Sequence, residues 1–306
     1  MQQAAAIEGV TAVGLSELVA LRQQAVRVRA AAAKTRVPLA GAHTSHLRGR
    51  GMDYAESRVY QPGDDARAID WRRTARSGRT HTKLFREERE RSLLLLIDTH
   101  ASMRFGTRAR FKSVQAARAA ALSAWSAARA GDRVGALAFG ALRDAITPQG
   151  GTRGVLAVLG ALARWDARAG GQSEPLSEAL ARARRLALPG SRVLLLSDGA
   201  CTDEDARGAL MRLARRAEIR VLIVADALEL HAPPPGGYAL ETAEDRAQVN
   251  LMTAAVRIRF RDALAAGQHA LIEACEAAGV RWRRISGGDD PLSAVSALLD
   301  PRRVAR

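Results

Sequence analysis

From residue 92 onward, short apolar runs alternate with longer amphipathic segments. The runs at 93–97 and 193–196 are wholly apolar, and further strands are predicted at 134–139, 221–224 and 280–285. A strand without polar alternation is typical of the centre of a parallel sheet. Helical periodicity occupies the intervening segments, at about 108–130, 152–165, 175–187, 203–217 and 260–278, with a short last helix at 291–299. This alternation predicts a doubly wound α/β fold with a mostly parallel sheet.

The first 90 residues have a different pattern. Residues 16–34 are predicted to form an amphipathic helix, with Ser16 as its cap and apolar side chains at helical spacing: Leu18, Leu21, Ala25 and Val28. Within 41–90, glycine, aspartate and proline separate short extended pieces, with a tight turn at 61–64. We therefore divide the chain into an N-terminal helix with a small β-rich extension, 1–90, and an α/β domain, 91–306.

The charge is strongly basic but evenly distributed. The formal net charge is +15, and nearly all basic residues are arginine, with lysine only at positions 34, 83 and 112. Aromatic residues make up 4% of the chain, so there are few side chains on which single-stranded bases could stack. We therefore expect no specific nucleic-acid partner, although an arginine-driven nucleic-acid binder stays an alternative.

Neither membrane insertion nor a disulfide framework is indicated. No apolar run approaches the ~18 residues that a membrane-spanning helix needs. The N-terminus lacks the basic and apolar regions of a signal peptide, and two cysteines are too few for a disulfide framework. We expect a soluble, cytoplasmic protein.

Two apolar strands are each followed by an aspartate, Asp98 after 93–97 and Asp198 after 193–196. Ligands of open α/β sheets bind beyond the carboxyl ends of the strands. Carboxylate and hydroxyl oxygens are the ligands that hard divalent cations prefer. This edge of the sheet is therefore a candidate metal site.

The arrangement resembles the metal-ion-dependent adhesion site of von Willebrand factor A (vWA) domains, which carries Asp-x-Ser-x-Ser, a threonine and a later aspartate. The resemblance implies Mg²⁺ ligands at Asp98, Ser102, Ser173 and Asp198. Thr152 competes with Ser173 for the threonine position. His100 stands where the first serine should be, and imidazole is a softer ligand than Mg²⁺ favours. A vestigial site, in which the aspartates only cap helices, is the alternative.

A block of charged residues precedes the first α/β strand. It contains Gly49-Arg50-Gly51, a run from Arg58 through Tyr60, Gly63, Asp64, Asp65, Arg67, Ile69 and Asp70 to Trp71, and then Ala75-Arg76. Asp64 and Asp65 lie in the predicted turn, Arg67 and Asp70 are expected to pair, and Trp71 is expected to anchor the segment. Arg58, Arg67 and Arg76 can make bidentate bonds to the nearby carboxylates.

This block closely resembles the signature of a large bacterial family of vWA-like proteins of uncharacterised function, typically encoded beside MoxR-type AAA+ ATPases. The segment Asp226-Ala227-Leu228-Glu229 is similar to that family's Asp-Pro-Leu-Glu, with proline replaced. The resemblance implies a non-catalytic, chaperone-like adaptor that works with a MoxR-type ATPase on a client protein. The signature residues then form either an internal network or a docking surface.

A metal-dependent hydrolase at the same loop is the second hypothesis, since a metal near His100 could activate water. Metal-dependent turnover that is lost in His100→Ala would favour it. Nucleic-acid binding would be recognised by its steep dependence on salt.

Overall fold

The computed structural model describes residues 7–28, 52–87, 91–168, 173–241 and 246–299. The chain forms two compact units, one of residues 33–90 and the other of residues 1–32 together with 91–306. Each unit is described by itself.

The N-terminal segment packs on the α/β unit. The predicted helix 16–34 is two short helices, α1 (Leu15–Ala20) and α2 (Arg22–Ala25), and residues 29–34 lie outside the described part of the chain. The four apolar residues at helical spacing are buried in the core of this unit. The division predicted from the sequence groups this helix with the β-rich extension. Its buried apolar face instead packs in the core of the unit that contains 91–306.

The small unit is built on an antiparallel strand pair. Strand β1 (Met52–Val59) pairs with β2 (His81–Glu87), and the connection carries a 3₁₀ turn and helix α3 (Trp71–Ser77). The predicted turn at 61–64 is present: the amide of Asp64 donates to the carbonyl of Gln61 at 3.0 Å, and Gly63 has a φ of 105°.

A six-stranded sheet forms the centre of the α/β unit. Its strands are β3 (Ser92–Asp98), β4 (Arg133–Phe139), β5 (Asp144–Gln149), β6 (Arg192–Ser197), β7 (Glu218–Ala225) and, after the separate hairpin β8 (Gly237–Glu241) and β9 (Arg246–Asn250), β10 (Arg281–Ser286). The order is β10-β7-β6-β3-β4-β5, and every pair is parallel except β4 with β5. The predicted mostly parallel α/β fold is confirmed.

Helices cover both faces of this sheet. They are α4 (Lys112–Arg129), α5 (Gly151–Asp166), α6 (Leu176–Leu186), α7 (Ala206–Ala214), α8 (Ala227–Leu230), α9 (Ala254–Ala277) and α10 (Pro291–Leu299). Alternate residues of β3 face opposite sides: Leu93 and Leu95 join the cluster with α4, α5 and α10, whereas Leu94 joins α6, α7 and α9. Burial on both faces explains why the strand is uniformly apolar.

The parallel register brings three strand ends to one edge. Ile97 pairs with Leu196, and Ser197 pairs with Ile223, so β3, β6 and β7 end at the same level. The next polar residues, Asp98, Asp198 and Asp226, therefore lie along one edge, which we call the carboxyl edge.

Candidate functional site

Asp98 is fully engaged by its neighbours at the carboxyl edge. One carboxylate oxygen, Oδ1, accepts the backbone amide of His100 at 2.9 Å and the ring Nδ1 of the same residue at 2.7 Å. The other oxygen, Oδ2, accepts the hydroxyl of Ser197 at 2.6 Å and the more distant thiol of Cys201 at 3.6 Å. The side chain has no exposed surface. Asp98 thus organises the loops after β3 and β6 rather than facing solvent.

His100 closes over Asp98. Because a carboxylate can only accept, Nδ1 carries the proton, and Nε2 is a buried ring nitrogen without a hydrogen-bond partner among the described residues. Burial opposes protonation, but the hydrogen bond and charge of Asp98 outweigh it and raise the pKa of His100. The imidazole is therefore held beside the carboxylate of Asp98 by a hydrogen bond and by electrostatic attraction.

Asp198 pairs with a buried lysine. Nζ of Lys112 lies 2.7 Å from Oδ2 of Asp198 and 2.6 Å from Oε1 of Glu229. The three side chains are 3%, 2% and 6% exposed respectively. Burial opposes the charge of Lys112, but the two carboxylates outweigh it and raise the pKa of Lys112. An ammonium ion bridging two carboxylates is thus the central charged group of the edge.

The network extends from Glu229 to the end of β7. Oε2 of Glu229 accepts the amide of Asp226 and the side chain of Gln268, each at 2.7 Å. Asp226 caps α8 and also accepts the hydroxyl and amide of Thr107, at 2.7 and 2.9 Å. Four segments of the chain are joined in this way: 107–112, the loop after β6, 226–229 and α9. The resemblance had singled out Asp226 and Glu229, but sequence reasoning missed Lys112, Thr107 and Gln268.

The structure brings together only part of the predicted Mg²⁺ set. Asp98 and Asp198 share the edge and are bridged through the loop after β6, where Ser197 binds Asp98. Oγ of Ser102 is buried with no hydrogen-bond partner among the described residues. This oxygen is the atom that an additional ligand would contact. Ser173 is exposed before the start of α6, and Thr152 is exposed in the first turn of α5. Because Asp198 is already paired with the positive charge of Lys112, the arrangement fits Mg²⁺ poorly.

One cluster of described residues has the spacing of metal ligands. Donor atoms of Asp98, His100 and Cys201 lie within 4.8 Å of one another. Oxygen, nitrogen and sulfur together suit a softer ion of the zinc class, not Mg²⁺. Burial raises the pKa of the Cys201 thiol, so this cysteine is a neutral hydrogen-bond donor here. Mg²⁺ binding stays a prediction that this donor chemistry does not favour.

The charged signature residues occupy the small unit. Nη2 of Arg58 pairs with Oδ1 of Asp64 at 2.7 Å, one of the expected arginine–aspartate contacts. Asp65 caps the 3₁₀ turn through the amide of Arg67, so its partner is backbone and not guanidinium.

Asp70 connects strand β1 with helix α3 in the same block. It accepts the hydroxyl of Ser57 at 2.7 Å and the amide of Arg73 at 3.1 Å, where it caps α3, rather than the expected side chain of Arg67. Trp71, which was expected to anchor the segment, is the first residue of α3 and is 70% exposed. The side chain of Arg76 is also exposed.

Two concave features adjoin the carboxyl edge. A cavity of about 30 Å³, the size of one water molecule, is bounded by Asp98, His100 and Trp165 among others. An open groove of about 470 Å³ lies between the loop after β6, α7 and α9. Its charged lining residues are Asp203, Glu204, Arg207 and Glu273. We call this the acidic groove, since three of its four charged residues are carboxylates.

Comparison with known sequences identifies the family. Residues 56–270 match the family described as protein of unknown function DUF58. The chain belongs to the DUF58 family. This confirms the assignment to a family of uncharacterised function; the association with MoxR-type ATPases stays a prediction.

Relatives of this DUF58 protein occur in mycobacteria. Uncharacterized proteins of Mycobacterium tuberculosis and Mycobacterium bovis are each 31% identical over 207 residues, which is 67% of this chain. The match spans about 65% of the length of these curated relatives.

Solved structures resemble the DUF58 chain more distantly. The conserved hypothetical protein BatB from Bacteroides thetaiotaomicron has 14% identity and a TM-score of 0.43, over 67% of this chain and 95% of that one. A von Willebrand factor type A protein from Catenulispora acidiphila has 15% identity and a TM-score of 0.35, over 62% and 44%. Among the described residues of the DUF58 chain, no helix has the length and apolarity to cross a membrane.

Proposed function

We propose that this DUF58 protein is a non-catalytic interaction module whose partner-binding surface is the acidic groove, supported by the buried carboxyl edge. One observation carries the proposal: the charged side chains of the edge are held in place by hydrogen bonds from the protein itself. Each oxygen of Asp98 and of Asp198 accepts a hydrogen bond from the protein itself. Groups held in this way form a rigid platform, whereas a general base needs a lone pair free for its substrate.

The cavities support binding of a macromolecule rather than a small substrate. Ligand pockets for small molecules are typically clefts or cavities of ~300–1,000 Å³ that bury most of the ligand's surface. The cavity beside Asp98 holds about 30 Å³, and the larger acidic groove is open to solvent. The loop after β6 carries Asp198 at one end and lines the groove at the other, through Thr202 and Asp203. The buried edge therefore fixes one end of the loop that lines the groove.

The partner that we propose is a MoxR-type AAA+ ATPase, with the protein linking ATP-driven remodelling to a client. The resemblance of the Arg58–Trp71 block to the family signature supports this partner. The acidic groove adds a physical requirement: the segment that docks there should be basic, since opposite charges across an interface favour the correct pairing.

The test is binding of the full chain to a MoxR-type ATPase from the same genome. We expect a complex that is weakened at least about tenfold, or about 1.4 kcal/mol, when Glu204→Arg and Glu273→Arg reverse the charge of the groove. Glu276→Arg is the matched control, because Glu276 is exposed on the same helix α9. Absence of a complex, or equal affinity of the groove variant and its control, would refute the proposed surface.

A hydrolase is the second candidate, because one observation favours it. Nε2 of His100 is buried without a hydrogen-bond partner among the described residues, and the water-sized cavity adjoins the ring. An aspartate that orients a histidine whose other nitrogen is free is the arrangement of a general base. Turnover of ester or phosphoester substrates that disappears in His100→Ala would support this candidate, and absence of turnover in the wild type would remove it.

A further inference from the structure

We propose that the ammonium group of Lys112 is a built-in replacement for a metal ion at Asp198, so that the carboxyl edge is complete without a divalent cation. This inference concerns the site alone and holds whether or not the ATPase is the partner. It reverses the expectation, drawn from the resemblance to metal-dependent adhesion sites, that Asp198 binds Mg²⁺.

The first support is the hydrogen bonding of the carboxylates around Lys112. Oδ2 of Asp198 binds Nζ of Lys112, and Oδ1 accepts the amide of Ala200 at 2.9 Å. Oε1 of Glu229 binds the same Nζ, and Oε2 accepts the amide of Asp226 and the side chain of Gln268. Each of the four oxygens thus accepts at least one hydrogen bond from the protein, and a metal ion would have to share both carboxylates with the ammonium of Lys112.

The second support is the position of the positive charge. A Mg²⁺ ion lies about 2.1 Å from its oxygen ligands, so an ion on Oδ2 of Asp198 would lie no more than about 5 Å from Nζ. At this depth, where Lys112 and Asp198 are 3% and 2% exposed, little water screens the repulsion. Lysine and a divalent ion therefore compete for the same carboxylate.

The third support is the way the fold fixes Lys112. It is the first residue of α4, and its amide donates to the carbonyl of Phe105 at 2.9 Å. Its Nζ also lies 5.6 Å from the centre of the Phe105 ring, a distance at which a cation is attracted to the aromatic face. A compact ammonium on a flexible stem reaches both carboxylates, which a planar guanidinium fork would not match.

The other half of the predicted metal set is occupied in the same manner. Asp98 accepts the ring N–H of His100 and the hydroxyl of Ser197. The two predicted aspartate ligands are thus each held by a side chain of the protein: Asp98 by His100, and Asp198 by Lys112. At Asp198, Lys112 supplies the positive charge that a metal ion would otherwise supply.

The experiment compares metal binding by the full-length wild type and by Lys112→Ala, without any partner. Calorimetric titration and thermal unfolding are measured with MgCl2 and MnCl2 after treatment with EDTA. For the wild type we expect no saturable heat and no change in Tm on adding or removing either ion. A ligand present at about 100 times its Kd would raise Tm measurably. Saturable wild-type binding that is lost in Asp198→Asn would overturn the inference.

Lys112→Ala frees the two carboxylates and opens space between them. We expect this variant to have a lower Tm than the wild type, to regain part of the loss in MnCl2, and to bind Mn²⁺ at least about tenfold more tightly. Lys83→Ala is the matched control, since Lys83 is exposed on β2, and it should show neither effect. A folded Lys112→Ala variant whose Tm does not change on adding Mn²⁺ would contradict the inference. If this variant does not fold, the titration of the wild type with metal ions tests the inference by itself.

Discussion

The residues after β3 and β4 pack so closely that one of them has to be glycine. Gly140 follows β4 with a φ of 95°, and a Cβ atom at this position would lie 2.3 Å from Nδ1 of His100. The absence of a side chain at Gly140 leaves the space that the imidazole occupies while it holds Asp98. A side chain at position 140 would push His100 out of that place.

Gly140→Ala should therefore destabilise the protein by about 3 kcal/mol, from backbone strain together with the clash. Gly190→Ala separates the two effects, because Gly190 also has a positive φ, 81°, but no atoms within 4 Å of the added Cβ. The control should lose only about 1 kcal/mol. Urea denaturation of both variants measures the difference, and equal losses would show that the contact with His100 is unimportant.

At the residue scale, the sequence revealed the anions of the site but not the cation. Asp98 and Asp198 could be predicted because each follows an apolar run, and strand ends share an edge. Lys112 could not, because its partners are 86 and 117 positions away along the chain. One signal was present: lysine occurs at only three positions in an arginine-rich chain, and one of them begins an apolar helix.

At the scale of elements, strands with uninterrupted apolar residues were predicted, whereas the more polar strands β5, β8 and β9 were missed. The runs at 93–97 and 193–196 lie within β3 and β6, because burial on both faces requires uninterrupted apolar side chains. Strand β5 was missed, because it is an antiparallel edge strand with mostly exposed residues and Pro148. The β8–β9 hairpin was also missed, since its polar residues lack a clear alternation.

The short helix α8 depends on its capping box. Burial alone would raise the pKa of Asp226, but hydrogen bonds from Leu228 and Thr107 outweigh it and hold the pKa below its ordinary value of 3.8. A lowered carboxyl pKa stabilises the fold above the ordinary pKa, and the contribution is lost as the pH falls through the folded value.

Asp226→Ala should accordingly cost about 2 kcal/mol at pH 7, from the lost cap and the unpaired donors. The difference from wild type should shrink below pH 3.8, where the unfolded carboxyl becomes protonated. Asp262→Ala, which removes a half-exposed partner of Arg261, should cost less than about 1 kcal/mol. Urea titrations at pH 7 and below pH 3.8 measure these losses in the free energy of unfolding. A loss in Asp226→Ala that does not depend on pH would contradict the lowered pKa of the Asp226 carboxyl.

At the scale of the whole molecule, a chain of net charge +15 ties the carboxylates of its carboxyl edge into internal hydrogen bonds and places further carboxylates in the adjacent groove. The class of fold and the edge that carries the site could be predicted from periodicity. The internal hydrogen bonds could not, since they depend on contacts between segments that are far apart in the chain. The basic partner that we propose is a consequence of the acidic charge of the groove.

We propose that the acidic groove binds its partner without a bridging metal ion. The decisive experiment measures the Kd between the full chain and a nucleotide-free MoxR-type ATPase, once in EDTA and once in excess Mg²⁺. We expect the same Kd within about twofold under the two conditions. A Kd that rises at least about tenfold in EDTA, with the dependence removed by Asp198→Asn, would contradict it.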